Sequence, residues 1–318
     1  MKRGPWLAAA AAALFVTLAR ADGPTGELAV DSVTLELSGV DRVEGGFLVV
    51  EDELVGAVLF LDDASLQRGQ PHVATSKLER RRKDVEAGQE KLFPIQDFED
   101  LASDGARAVY LLGSHSMRVR RGRWERRPDR EFIIQAGWEP ADRALSVADG
   151  KKQRGRYSKL LDDLVRDHGE AVLHGFNAEG LALRDGRLYV GLRAPLEQGK
   201  ALVFHATAKE VFGGEPVRWQ KLRLELGGGG VRALHWDAGR GELLALSGPA
   251  LEGVEPAPVL WAADPETGKA TELTRPRSSS GGWPEGVCRL DAERLLVVYD
   301  AEGARRAPLQ TLPLPAKK

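Results

Sequence analysis

Cysteine is almost missing: Cys288 stands alone in 318 residues, so no intrachain disulfide can form and the fold must be held by its core. Its setting, Gly286-Val287-Cys288-Arg289-Leu290, reads as a strand with no histidine nearby in sequence, which marks a buried structural thiol rather than a nucleophile. Nor is there an excess of either charge. Basic residues number 45 and acidic residues 47, so net charge gives no reason to expect a polyanion partner. No apolar run after the N-terminal segment is long enough to span a bilayer, and the phosphate-loop and nucleophile-elbow patterns are absent. The run Gly227-Gly228-Gly229-Gly230 lacks the following Lys-Ser/Thr, and Gly113-Ser114-His115-Ser116 does not fit the elbow.

The N-terminus has a definite order. Lys2 and Arg3 precede an apolar stretch from Trp6 to Leu18, then Ala19-Arg20-Ala21 precedes Asp22-Gly23-Pro24. This is the charged, apolar and small-residue order of a secretory signal peptide spanning 1–21, with cleavage after Ala21. The apolar stretch, roughly 13 residues, falls short of the about 20 a spanning helix needs. No cysteine at the cleavage point offers a lipid anchor. The expected product is an exported, periplasmic or extracellular protein covering 22–318.

Within that region the clearest unit is 175–195, GFNAEGLALRDGRLYVGLRAP. Leu181, Leu183, Leu188, Val190 and Leu192 alternate around Asp185-Gly186, the signature of a hairpin with a tight turn. Weaker copies recur, led by Ser38-Gly39-Val40, Glu99-Asp100-Leu101, Glu179-Gly180-Leu181, Arg232-Ala233-Leu234 and Glu285-Gly286-Val287. They are spaced by roughly 61, 80, 53 and 53 residues. Each interval has room for two further strands, and four strands per repeat make a propeller blade. The last repeat is short of an outer strand, which 27–37 could supply, so the chain ends share a blade and close the ring. The expectation is an all-β, five-bladed propeller, with six blades as the alternative. In the long second interval Leu160, Leu161, Leu164 and Val165 share a helical face, giving one short inserted helix placed over the mouth of the ring.

If each leading strand lines the axis, Ser38, Glu99, Glu179, Arg232 and Glu285 take equivalent places around it. The loops after the second strands bring Asp52, His115, Arg193 and Asp300 to the same face. Three facing acids repel one another unless a cation or an arginine lies between them. The ligand-binding candidates are therefore Glu99, His115, Asn177, Glu179, Arg193, Arg232, Glu285 and Asp300. Glu99, Glu179 and Glu285, with Asn177 beside them, are hard oxygen donors suited to a divalent cation such as Ca²⁺. Glu179 and His115 are the candidates for moving a proton in a metal-assisted ester, lactone or phosphoester hydrolysis. Arg193 and Arg232 could instead clamp an anion without chemistry. A third reading has the charges pair across blades and hold the ring in register, leaving a non-catalytic scaffold for an envelope protein. The segment 118–130 carries seven arginines against two acids but lacks stacking aromatics apart from Trp124. It and the basic run 80–83 read as solvated hairpins, which argues against nucleic acid as a partner.

The segments FEDLASDGARAVYLLGSHS (98–116), NAEGLALRDGRLYVGLRAPL (177–196) and Val231-Arg232-Ala233-Leu234 resemble the bacterial family known as domain of unknown function 3616. That resemblance implies a propeller-like β fold and leaves the activity open. The repeated Glu-Gly-Leu/Val also resembles, more loosely, the metal-binding strand of gluconolactonase-type propellers and the esterase-like phytase group. The Asp-Asp-Pro-Ala motif of calcium-dependent propeller phytases does not occur. The expected protein is an exported monomeric propeller that binds a small anionic or polyhydroxy ligand on its axial face.

Overall fold

The computed structural model describes residues 25–29, 36–51, 57–62, 66, 72–75, 79–83, 90–94, 97–127, 129–146, 159–250, 257–277, 282–300 and 306–317. The first strand, Thr25–Ala29 (β1), is followed by blade one: Leu37–Val43 (β2), Gly46–Glu51 (β3), Ala57–Asp62 (β4) and His72–Thr75 (β5). A separate hairpin, Glu79–Lys83 (β6) with Glu90–Pro94 (β7), precedes blade two. That blade takes Phe98–Ser103 (β8) and Ala108–Gly113 (β9). It resumes, after a hairpin of Arg118–Arg120 (β10) and Arg123–Glu125 (β11), with Ile133–Glu139 (β12) and Ala144–Ser146 (β13).

The helix Leu160–His168 (α1) and a 3₁₀ turn, Glu170–Leu173, lead to blade three. Its strands are Asn177–Arg184 (β14), Arg187–Ala194 (β15), Ala201–Thr207 (β16) and Gln220–Leu224 (β17), with the short helix Ala208–Val211 (α2) before the last. Blade four is Gly230–Asp237 (β18), Glu242–Gly248 (β19), Val259–Ala263 (β20) and Ala270–Thr274 (β21); blade five is Trp283–Arg289 (β22), Arg294–Asp300 (β23) and Arg306–Pro313 (β24). β1 completes blade five by pairing antiparallel with β24 from Thr25↔Gln310 to Ala29↔Arg306.

Five blades therefore close the ring, and the two extra hairpins do not amount to a sixth. The closing strand is Thr25–Ala29 rather than 27–37, because Leu37 already opens blade one. The innermost strands β2, β8, β14, β18 and β22 each pack on the next, and β22 returns to β2. At the Asp185-Gly186 turn both residues have positive φ (49° and 73°), as a two-residue hairpin of this hand requires.

The core is divided among the blade interfaces. Val50, Phe60, Phe98, Phe132 and Trp138 fill the gap between blades one and two, and the Trp138 Nε1–H donates to the Glu44 carbonyl at 2.9 Å. Cys288 lies wholly buried with Leu37, Phe47 and Leu296 between blades five and one, and burial pushes its thiol well above its ordinary range, so it is an inert packing group. Leu160, Leu161 and Leu164 of α1 join Tyr110, Phe204 and Trp219 in the cluster of blades two and three. The helix thus wedges into the flank of the ring, and the expected place over its mouth is not where its apolar face is satisfied. Among the described residues no helix is long and apolar enough to cross a membrane.

Candidate functional site

Each innermost strand leaves one of its own residues out of register with its neighbour, and the β14–β15 pair breaks a second time at Arg193 of β15. The residues left out of the innermost strands are Ser38, Glu99, Glu179, Arg232 and Glu285, the five positions that head the sequence repeats. A bulge leaves its extra residue out of the ladder and re-aims the side chain. All five side chains accordingly line one axial cavity of about 300 Å³, joined by Asn177, Arg193 and Asp300 from the strand ends and by Glu36, Ser116 and Arg130.

A charged network crosses the cavity from blade to blade. Arg232 donates through Nη1 to Glu179 Oε2 at 2.8 Å and through Nη2 to Glu285 Oε1. Glu179 Oε1 accepts from Asn177 Nδ2 at 2.6 Å and from Arg193 Nη1 at 3.1 Å, while Arg193 Nε donates to the Pro249 carbonyl at 3.0 Å. On the opposite wall Arg130 Nη1 pairs with Asp97 Oδ1 at 2.8 Å and reaches Ser116 Oγ at 3.2 Å. Among the buried polar atoms of these walls, Arg130 Nε, Asn177 Oδ1 and Arg232 Nε have no hydrogen-bond partner.

Burial pushes the Glu285 carboxyl well above the usual carboxylate range. Arg232 offsets part of that push, while the charges of Glu179 and Asp300 add to it. Burial works against the charge on Arg232 too, but Glu179, Glu285 and Glu99 outweigh it and hold its proton more firmly than usual. Asp97, mostly buried behind Arg130, is likewise raised by desolvation, with Ser114 and Arg130 opposing.

The positions just past the bulges are packed tightly against neighbouring blades. The residues after the five bulges are Gly39, Asp100, Gly180, Ala233 and Gly286. A Cβ on Gly39 would stand 2.5 Å from Asp100 Oδ1, and one on Gly286 would stand 2.9 Å from the Gly39 Cα. Gly180 is crowded by Val231 and Leu234 of blade four and Gly286 by Val298 and Gly39, while Gly39 must lack a side chain so that Asp100 can fill the axis. Asp100 Oδ2 accepts from the Leu181 N–H at 2.7 Å and the Leu234 N–H at 3.3 Å, and Oδ1 from the Leu101 N–H at 2.8 Å. One carboxylate thus ties blades two, three and four together.

Of the residues picked from sequence, Glu99, Asn177, Glu179, Arg193, Arg232, Glu285 and Asp300 reach the cavity. His115 does not line it. It takes positive φ (52°), is 1% exposed, rests edge-on against Phe176, and shares its Nδ1 with the Gly113 carbonyl at 2.7 Å. Asp52 lies outside the described residues. Ser116 and Arg130 were missed because they sit in stretches that look like ordinary solvated loop, and Asp97 and Glu36 stand one step outside the repeat. Asp100 left a legible signal, since it breaks the small-residue pattern of the other four repeats.

The three candidate metal ligands share the cavity without fitting a cation. Among the described residues no group of three or more His, Cys, Asp or Glu side chains is placed to hold a metal ion. The Arg232 guanidinium already lies between Glu179 and Glu285, and both Glu179 oxygens are taken by nitrogen donors. A calcium ion would have to displace an arginine. As arranged, the carboxylates suit a guanidinium.

Residues 171–312 match the family described as protein of unknown function (DUF3616). The match takes in blades three, four and nearly all of five, and so carries the resemblance read from NAEGL and GLRAP; the 98–116 segment lies outside it. No curated protein matches the chain. Among solved structures, a GH43 β-1,3-galactosidase determined with galactodeoxynojirimycin is similar at TM-score 0.50 and 10% identity, over 91% of this chain and 92% of that one. A gluconolactonase from Xanthomonas campestris is similar at TM-score 0.41 and 14% identity, over 94% of each chain. A glucose dehydrogenase is similar at TM-score 0.46 and 13% identity, over 89% of this chain and 98% of that one. At such identities the likeness is one of fold.

Proposed function

We propose that the axial cavity binds a small, neutral, polyhydroxylated ligand, about the size of a single sugar ring. The observation that carries this reading is the bulge set: five equivalent positions spend their ladder bonds to aim polar side chains at one point. The lining holds the carboxylates Glu36, Glu99, Glu179, Glu285 and Asp300 against the guanidiniums Arg130, Arg193 and Arg232. Each of the three arginines is already paired with an acid. An anion would meet an excess of negative charge and cations that are in use, whereas hydroxyls can donate to carboxylates with lone pairs to spare and accept from guanidinium and amide N–H. A volume of about 300 Å³ is at the small end of ligand pockets. Export after removal of 1–21 belongs to the same proposal; it is supported by the charged, apolar and small-residue order of that segment, which lies outside the described residues.

The test is a thermal-shift and calorimetry panel of neutral sugars and polyols set against citrate, phosphate and glucuronate. The midpoint should rise with at least one neutral polyol through mass action, and Glu99→Gln should weaken that response. A response confined to the anions, or to nothing in the panel, would sink the proposal.

One feature favours a hydrolytic version. Burial raises the Glu285 carboxyl above ordinary carboxyls, and it stands beside other carboxylates, an arrangement that general acid–base hydrolysis of an ester or lactone can use. Turnover of generic ester and lactone substrates that disappears in Glu285→Gln would establish it. Turnover that survives the substitution would not come from this group.

A further inference from the structure

Next to the axial cavity lies a second concavity of about 610 Å³, walled by Trp124, His174, Pro195, Leu196 and Ala250 and sharing Asn177 and Arg193 with the first. Trp124 is 41% exposed; it and Val119 are the exposed large hydrophobics among the described residues. The two pair across the β10–β11 hairpin, and the Trp124 indole stacks on the His174 imidazole with ring centroids 5.9 Å apart. Arg126 braces the base of this hairpin, its guanidinium bonding Glu131 and also Asp162 of α1. The aromatic pair is thus held on a supported arm beside the polar cavity, and Asn177 and Arg193 form the sill between the two spaces.

Leaving an indole half in water costs hydrophobic free energy, which a bound apolar surface would recover. The partner that fits must be polar enough to reach over a sill of amide and guanidinium and flat enough to lie on an aromatic face. A pyranose ring meets both needs: one face presents C–H groups, which the negative face of an indole attracts, while its rim carries hydroxyls. We propose that the groove is a second subsite, and that the ligand is at least a disaccharide, with one ring in the axial cavity and the next stacked on Trp124. This inference rests on the polyhydroxylated-ligand reading of the axial cavity and extends it to a substrate class.

The test compares monosaccharides with their own disaccharides on the intact protein by calorimetry: glucose with cellobiose, maltose and laminaribiose; galactose with β-1,3- and β-1,4-galactobiose; xylose with xylobiose. At least one disaccharide should bind about 3- to 10-fold more tightly than its monosaccharide, the range one aromatic stacking contact supplies. Trp124→Ala should erase that advantage and leave the monosaccharide affinity unchanged. On the wild-type protein, the same disaccharide and not the monosaccharide should shield Trp124 from N-bromosuccinimide oxidation mapped by mass spectrometry. Equal affinities within every pair, or a Trp124→Ala loss that falls equally on both, would overturn the second subsite while leaving the axial one. Binding of no sugar at all would overturn both.

Discussion

Glu179 and Arg232 are 53 positions apart in sequence and meet at 2.8 Å across the boundary of blades three and four. Each is the bulge residue of its own innermost strand, so their meeting follows from the repeat. The same guanidinium reaches, another 53 positions on, to Glu285 of blade five. One arginine therefore neutralises the bulge acids on either side of it.

Removing that arginine takes the shared partner from both Glu179 and Glu285 in the axial cavity. Their side chains are 4% and 11% exposed, too buried for water to replace the lost partner. Arg232→Met should destabilise the fold by about 3–5 kcal/mol, the usual cost of breaking a buried pair from one side. Arg232→Lys should recover part of the loss, because an ammonium keeps the charge but cannot fork between two acids. Urea denaturation measures both. A loss in Arg232→Met no greater than that of an exposed pair such as Arg118–Glu125 would show that the network is ligand machinery with no structural share.

The Glu285 carboxyl should leave a mark on the pH dependence of stability. Its folded pKa is raised above the ordinary value of 4.5, chiefly by burial. Between the two values the folded chain holds a proton that the unfolded chain has released. The stability this group contributes is fully present below about 4.5 and is lost as pH rises through the folded value, at about 1.4 kcal/mol per pH unit inside the window. Glu285→Gln keeps an acceptor for Arg232 but does not titrate. Its stability relative to wild type should rise with pH across that window. A difference that stays flat from acid to neutral pH would mean that the carboxyl titrates alike in the folded and the unfolded chain.

Much of this was readable before the fold was known. The Asp185-Gly186 hairpin and the five repeat heads are local patterns, which survive folding because alternation and turn chemistry act over a few residues; the shared blade is not local, and it was legible only from counting strands per repeat, with its bounds displaced from 27–37 to 25–29. What could not be read was direction. His115 lies just past the end of its strand whereas Arg193 is still within β15, and at positive φ the His115 ring rests on Phe176. Arg130 hides in a run of arginines of which some are exposed and one closes the cavity wall. Sequence also could not say that an arginine, not a cation, would settle the repulsion among the axial acids, because that depends on which bulges are neighbours around the ring.

Calcium gives a direct check of that last point. With Arg232 between Glu179 and Glu285, millimolar Ca²⁺ or EDTA should leave the wild-type thermal midpoint unchanged. An upward shift with Ca²⁺ that vanishes in Glu179→Gln would show that the arginine yields to a metal.

The tightly packed positions just past the bulges should be among the least forgiving places in the chain. Gly39→Ala puts a methyl 2.5 Å from Asp100 Oδ1 and 2.6 Å from the Asp100 Cα, and the second contact is with backbone that no rotamer change can relieve. Asp100→Ala orphans the buried N–H groups of Leu181 and Leu234, at about 1–3 kcal/mol each. Both variants should lower the denaturation midpoint, and Gly39→Ala combined with Asp100→Ala should be somewhat less destabilised than the sum of the two single changes, since losing the carboxylate relieves the 2.5 Å contact while the contact with the Asp100 Cα remains. Strict additivity would place the cost of Gly39→Ala elsewhere.

Ring closure rests on a strand of five residues near the start of the described chain. β1 satisfies the outer edge of β24 from Gln310 to Arg306, and no other strand pairs with that edge among the described residues. Deleting residues up to Ala29 should leave β24 as an open edge of blade five, with unpaired N–H and C=O groups that can recruit another chain. The truncated protein should melt at lower temperature and form concentration-dependent oligomers in sedimentation, whereas a chain beginning at Asp22 should remain monomeric. Adding the 22–35 segment as a separate peptide should restore both properties by refilling the vacant edge. If the truncated chain proved as stable and as monomeric as the longer one, closure would be carried by the contact of β22 with β2 alone.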